Sequence, residues 1–279
     1  NISGINITYT NGTFTNLSVS NNIQFSNCNV RIGDGAGFNN QESGAIAIGC
    51  NAGQFSQQQS ATAIGYQAGQ YSQGTYAVSI GFNAGQYSQG SAVSIGENAG
   101  QDNQKIFSIA IGTRSGRTNQ NRFSIAIGLD AGGATQGTSS IAIGYNAGYW
   151  RQGENCIAIG NGTSESNQAS GSIAIGFNAA CTTQGRNAIA VGENAGRDNQ
   201  QSGAISIGIG CGRTNQGTNS IAIGVGAGNL SQSSGCVAIG IFCGYTNQGT
   251  NAIAIGNNAG YTNQGSGSIA IGFGAGQFS

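Results

Sequence analysis

The sequence predicts an all-β fold: a β-solenoid (parallel β-roll or β-helix) of about 15 coils of 16 residues. Three observations carry this. A glycine closing an Ile-Ala-Ile-Gly segment recurs at constant spacing through nearly the whole chain. Isoleucine or valine stands one and three residues before it, the period of a strand with one apolar face. Glutamine stands eight residues after it without exception.

The recurring glycines, called anchors below, are Gly33, Gly49, Gly65, Gly81, Gly96, Gly112, Gly128, Gly144, Gly160, Gly176, Gly192, Gly208, Gly224, Gly240, Gly256 and Gly272. Of their 15 intervals, 14 are 16 residues long; the one from Gly81 to Gly96 is 15. Fixed-period repetition marks a solenoid or related array. Sixteen residues are too few for a β-α unit, which takes about 30, but suit two short strands and two turns. Coils stacked at about 4.8 Å would build a rod of roughly 70 Å. A second glycine four residues after the anchor, as in Gly53, Gly69, Gly148 and Gly260, suits a corner needing positive φ. Ser164 and Ala180 replace it in two coils.

The side-chain columns carry distinct expectations. Isoleucines such as Ile109, Ile111, Ile173 and Ile175 are expected to point inward. Full burial of each would contribute about 1.5–3 kcal/mol before entropy, and no coil would stand without its neighbours. The glutamines are Gln41, Gln57, Gln73, Gln89, Gln104, Gln120, Gln136, Gln152, Gln168, Gln184, Gln200, Gln216, Gln232, Gln248 and Gln264. At coil spacing each amide can donate to one neighbour and accept from the other, a structural ladder; a ligand-binding row is the other reading. Two residues before the anchor lie Ala47, Ala63, Ser79, Ser94, Ala110, Ala126, Ala142, Ala158, Ala174, Ala190, Ser206, Ala222, Ala238, Ala254 and Ala270. A solvent-facing lane would carry Thr, Lys, Glu or Gln. So many small residues predict an inter-chain lane packed against sister chains in a symmetric oligomer, three rods side by side. A crowded corner within one coil is the plainer alternative.

Composition narrows the function. Nine basic and nine acidic residues give no net charge, hence no field to draw nucleic acid or an anionic membrane. No apolar run reaches the roughly 20 residues of a membrane helix, so no membrane insertion is expected in this segment. Histidine is absent and the acids are scattered, so no catalytic site is expected, since acid–base chemistry needs positioned groups of these kinds. No aspartate column marks calcium repeats. An ice-binding threonine array is broken, since Thr118, Thr182, Thr214, Thr246 and Thr262 share their column with Asp102, Trp150 and Leu230. Neither metal nor cofactor is expected. Cys28, Cys50, Cys156, Cys181, Cys211, Cys236 and Cys243 lack metal-ligand spacing and read as small apolar residues, with interchain bridges as the alternative. Arg114, Arg117, Arg122, Asp102 and Lys105 form one loose charge cluster; Arg197, Asp198 and Arg213 form another. Both read as solvated turns or as a receptor patch. Phe55, Tyr71, Tyr87 and Trp150 form an aromatic column, either packing or contact strip.

Residues 1–32 differ, with asparagine every five residues from Asn1 to Asn21. They read as a β-rich cap or fibre joint, and residues 33–279 as the solenoid. Sequons stand at Asn1, Asn6, Asn11, Asn16, Asn161 and Asn229. A start at Asn1 and a stop within a repeat suggest a piece of a longer protein.

Ser172-Ile173-Ala174-Ile175-Gly176 and Ser268-Ile269-Ala270-Ile271-Gly272 resemble the head repeat of trimeric autotransporter adhesins, a likeness extending over residues 43–279. The resemblance implies a left-handed parallel β-roll, three chains side by side, and binding to host surfaces such as matrix proteins. The family's repeat is somewhat shorter and lacks the constant glutamine. The expected function is a structural or adhesive segment of an extracellular trimeric fibre at a cell or virion surface. Its partners would be itself, as a homotrimer, and a host surface protein or glycan. A viral attachment fibre and a passive spacer or self-assembling filament subunit are the alternatives.

Overall fold

The structure, a computed structural model, describes residues 28–278. Those residues form a parallel β-solenoid of about 15 turns without an α-helix. One continuous sheet of 16 strands runs from Val30–Ile32 to Ile269–Ile271, in chain order, each strand being the segment before an anchor. Its register is the repeat itself: Ile157 pairs with Ile173, Ala158 with Ala174 and Ile159 with Ile175. The short coil is absorbed without slippage, Val78 pairing with Val93. Of the expected 1–32 cap, Val30–Ile32 is the first rung of this sheet, and residues 1–27 lie outside the described residues.

The opposite side of each coil carries a second, discontinuous set of strands. Asn39–Gln41 through Tyr87–Gln89 form one sheet, Thr135–Gln136 and Arg151–Gln152 another, and Asp198–Gln200 through Thr246–Gln248 a third. Isolated bridges connect much of the remainder. Here the middle residue of each strand commonly sits in the left-handed region, as at Ser72 (φ 52°), Asn199 (φ 62°) and Asn215 (φ 54°). Consequently only flanking residues pair: Asp198 with Thr214 and Gln200 with Gln216. Asparagine tolerates this conformation better than most residues. It also fills the left-handed corner two residues past the anchor, as at Asn146 and Asn194. The high Asn and Gly content is therefore the conformational requirement of a coil that turns sharply several times in 16 residues.

The anchor itself illustrates the constraint. Gly65 has φ +125°, and a Cβ built on it would lie 2.6 Å from the carbonyl oxygen of Gly81. Successive coils meet there backbone to backbone, so no side chain fits.

The two faces of the main strand are the reverse of the sequence expectation. Ala47, Ala63, Ala110, Ala126, Ala142, Ala158, Ala174, Ala190, Ala222, Ala238 and Ala254, with Ser79, Ser94 and Ser206, have no accessible surface within a single chain, and Ala270 is buried at 6%. This lane faces the interior and another chain cannot reach it. The isoleucines face outward: Ile175 is 37% exposed and Ile207 41%. The reason is width. Pleating places alternate residues on opposite faces, and the interior of so small a coil has no room for two branched side chains per rung. Alanine fills it instead, from this lane, from the position four before the anchor and from the position three after it.

The remaining interior volume is taken by glutamine, which supplies the largest fully buried side chains. Gln200 is typical. Its Nε2 donates across the coil to the carbonyl of Ile189 (2.8 Å), to that of Ala204 (3.3 Å) and to Oε1 of Gln216 (3.0 Å), while its own Oε1 accepts from Gln184 (3.1 Å). The amide thus braces the two strands and links adjacent coils. The chain of amides runs unbroken from Gln73 to Gln136 and from Gln168 to Gln264. Gln41 also donates to Gln57 (3.0 Å), and the chain of amides lapses at three steps, where the Oε1 atoms of Gln73, Gln152 and Gln168 are buried without a partner.

Two substitutions test this interior. Gln200→Ala removes the brace and opens a cavity; we expect a loss of about 2–4 kcal/mol in guanidinium unfolding. Gln201→Ala, on the exposed side, should cost under about 0.5 kcal/mol. Ala190→Leu overpacks the lumen and should destabilise by at least about 1–3 kcal/mol; a neutral result would return the lane to the outside.

Candidate functional site

The outward face of the main sheet is the largest feature without an intramolecular role. Along it run two columns of Ile and Val, one and three residues before each anchor. A third column, the residue after the anchor, adds Tyr66, Phe82, Leu129, Tyr145, Phe177, Ile209, Val225 and Ile241, each between 40% and 55% exposed. Sixteen rungs at about 4.8 Å make a strip roughly 70 Å long and about 12 Å wide, on the order of 800 Å². Monomeric proteins rarely leave apolar patches beyond a few hundred Å² uncovered. The two Ile/Val columns run in register along the sheet, broken only at Thr62, while the third column also carries Asp34, Glu97, Asn161, Glu193 and Asn257.

The second face is polar and variable. Phe55, Tyr71 and Tyr87 stack at centroid distances of 5.3 and 5.2 Å with interplanar angles of 10° and 5°. Stacked in this way, their faces are covered by one another and their edges face solvent. Trp150 lies in the same column but packs edge-on against Tyr149. The two expected charge clusters separate. Arg114 grips Asp130 of the next coil with two bonds, Nε to Oδ1 at 2.7 Å and Nη2 to Oδ2 at 2.6 Å. Burial raises the Asp102 carboxyl, with Arg117 opposing. Arg197 and Asp198, both half-buried, approach only to 3.8 Å. Asn103 and Asn119 form an outward amide pair at 2.8 Å, repeated by Asn199 with Asn215 and Asn247 with Asn263. The sequence reading missed these pairs; the asparagine column seven residues after the anchor was the signal.

Of the sequons, Asn229 is 8% exposed and its Nδ2 donates to the Gly210 carbonyl at 2.6 Å, which leaves no room for a glycan there. Asn161 is exposed. Those at Asn1 to Asn16 lie outside the described residues.

All described cysteines are unpaired. Cys156 and Cys236 lie in the buried column four residues before the anchor, and Cys211 and Cys243 in that three residues after it. Burial pushes the Cys211 and Cys243 thiols up to about 12. Cys50 and Cys181 are half-buried and Cys28 is exposed. Among the described residues, no group of three or more His, Cys, Asp and Glu is placed to hold a metal ion. No helix there is long and apolar enough to cross a membrane.

The pattern of the YadA head domain repeat matches the chain twice, at residues 135–147 and 248–259. Both matches run from the second strand of one coil into the next main strand. The matches cover 25 of the 279 residues, and each falls within the 16-residue coil described above. No curated protein and no solved structure matches it.

Thiol chemistry gives a direct check on the burial pattern. In the native protein at pH 8, an aromatic disulfide reagent should titrate Cys28 rapidly and leave Cys156, Cys211, Cys236 and Cys243 unreacted until denaturant is added. A thiol held up in the folded state contributes stability that is complete below its unfolded value. That contribution is lost as pH rises from about 9 toward 12. The double variant Cys211→Ala, Cys243→Ala should show a shallower loss of stability over that window.

Proposed function

We propose that the chain is an adhesive and structural segment of an extracellular trimeric fibre, non-catalytic, with the exposed Ile/Val face as the contact among its three copies. The observation that carries this is the pair of exposed Ile/Val columns that runs the length of the main sheet. Its area of roughly 800 Å² is what one partner contributes to a standard stable interface. A half-exposed isoleucine would gain about 1 kcal/mol on full burial, repeated over two columns and 16 rungs. Identical surfaces meeting about a rotation axis give a closed oligomer. Two sheets face to face would also cover the strip; the number three is supported by the likeness to the head repeats. The contact therefore belongs to the isoleucine columns and not to the alanine lane.

In such a bundle the second face of each coil remains outermost. Its residues vary from coil to coil over a constant frame, which favours recognition of host or neighbouring surfaces. Constant coil length on its own would serve a passive spacer equally well.

Light scattering on the purified segment should give three times 27.9 kDa. The double variant Ile175→Ser, Ile207→Ser should shift the assembly toward single chains at low concentration while each coil keeps its fold by circular dichroism. A wild-type mass of one chain at all concentrations would sink the proposed interface.

A further inference from the structure

We propose that a corner groove around Arg151 and Arg186, on the outer side of the rod, binds an extended acidic polysaccharide, a chain of sulfated or carboxylated sugars. The groove has a volume of about 600 Å³ and runs along the rod over four to five coils. One wall is formed by Thr135, Arg151, Asn167 and Thr183, each seven residues after its anchor; Arg186 and Ser202 stand on the other. A second stretch of about 280 Å³ follows the same corner at Ser88, Asn103, Lys105 and Arg122.

The groove lies where the repeat departs from its own rule. Elsewhere the residue seven after the anchor is usually Asn or Ser with positive φ; Thr135, Arg151 and Thr183 are not among the left-handed residues. Thr135 instead pairs directly with Arg151. Beneath it the amide ladder lapses: Gln152 and Gln168, each 3% exposed, keep their cross-coil bonds but have buried Oε1 atoms without partners. The coil after Gly160 also carries Ser164 in place of the corner glycine. Four departures, at Thr135, Arg151, Ser164 and Thr183, thus fall in four successive coils along this groove, while the same corner is also hollowed in regular coils near Gln41 and near Asn103.

Its chemistry suits a polyanion with hydroxyls. Arg151 and Arg186 are exposed and form no ion pair among the described residues. Arg151 stands seven residues after its anchor and Arg186 ten after its own, two coils further on; Arg122 occupies the Arg186 column four coils earlier, about 19 Å along the rod, with Lys105 one coil before that. Thr135, Asn167, Thr183 and Ser202 offer neutral donors and acceptors for sugar hydroxyls between the charges. Glu154, exposed three residues after Arg151, is not part of the lining. A single-stranded nucleic acid is the poorer fit, because no aromatic ring lines the groove to stack a base.

This deepens the adhesive reading by naming its ligand class. The groove is built within one chain and faces away from the apolar strip, so the two stand or fall separately. The test is binding of the intact chain to immobilised heparin, with neutral dextran and single-stranded oligothymidylate as comparisons, and light scattering on every sample. Arg151→Gln with Arg186→Gln should weaken heparin binding about tenfold, with the binding itself falling steeply with salt. The exposed pair Arg117→Gln, Arg213→Gln should change it less than about twofold. Absence of heparin binding, equal loss in both double variants, or oligothymidylate binding as tightly as heparin each overturns the proposal. Heparin binding by a chain that proves monomeric would leave it standing and remove the trimer alone.

Discussion

The narrowness of the coil governs everything else in this molecule. Sixteen residues closed into a loop leave a lumen that alanine nearly fills, and the one long side chain it admits must span it and satisfy its own polar groups. Glutamine does both. Its amide reaches the opposite backbone and the next amide at once, as Gln200 reaches Ile189, Ala204 and Gln216. A buried amide left unpaired would cost about 1–3 kcal/mol, which explains why this column tolerates no substitution while the surface columns vary. The same narrowness expels isoleucine to the outside. The rod has a core of alanine braced by hydrogen-bonded glutamine, and an apolar exterior face.

The regularity was fully legible in the sequence. Anchor spacing predicted the parallel stack, its rung-to-rung register and the glutamine ladder, because each depends only on period. What the sequence concealed was which side of the strand is in. Period-two alternation separates Ile173 and Ile175 from Ala174 but does not say which set faces the lumen. The habit of placing the larger apolar residue inside answers wrongly when the lumen is too small for it. The clue was in view: no residue larger than Ala or Ser occurs in the lane from Ala47 to Ala270, and a ceiling on size is what a tight interior imposes. The left-handed asparagines were likewise visible as columns but acquire meaning only from the backbone, as in the bulged pairing of Asp198 with Thr214 around Asn199.

Function-bearing positions are legible here as departures from a rule. Where every coil repeats the same solution, residues that abandon it, such as Thr135, Arg151, Ser164 and Thr183, stand out against their column. They carry a local cost in lost amide bonds at Gln152 and Gln168. Local cost of this kind is characteristic of sites where binding takes precedence over stability.

Every amide–amide bond of the ladder is donated toward the carboxyl-terminal end, as from Gln184 to Gln200 and from Gln200 to Gln216. The aligned side-chain dipoles therefore add along the axis, and neighbouring bonds polarise one another. At the amino-terminal end the series finishes on the acceptor Oε1 of Gln41, and the Nε of Arg31 donates to it. A guanidinium thus sits at the negative pole of the column, as a cation sits at the carboxyl end of an α-helix. The rod is electrically vectorial although its net charge is zero. Its two ends are chemically unlike: the acceptor end of the column is closed by a guanidinium, and at the other end Gln264 donates to the backbone carbonyls of Ile253 and Ser268.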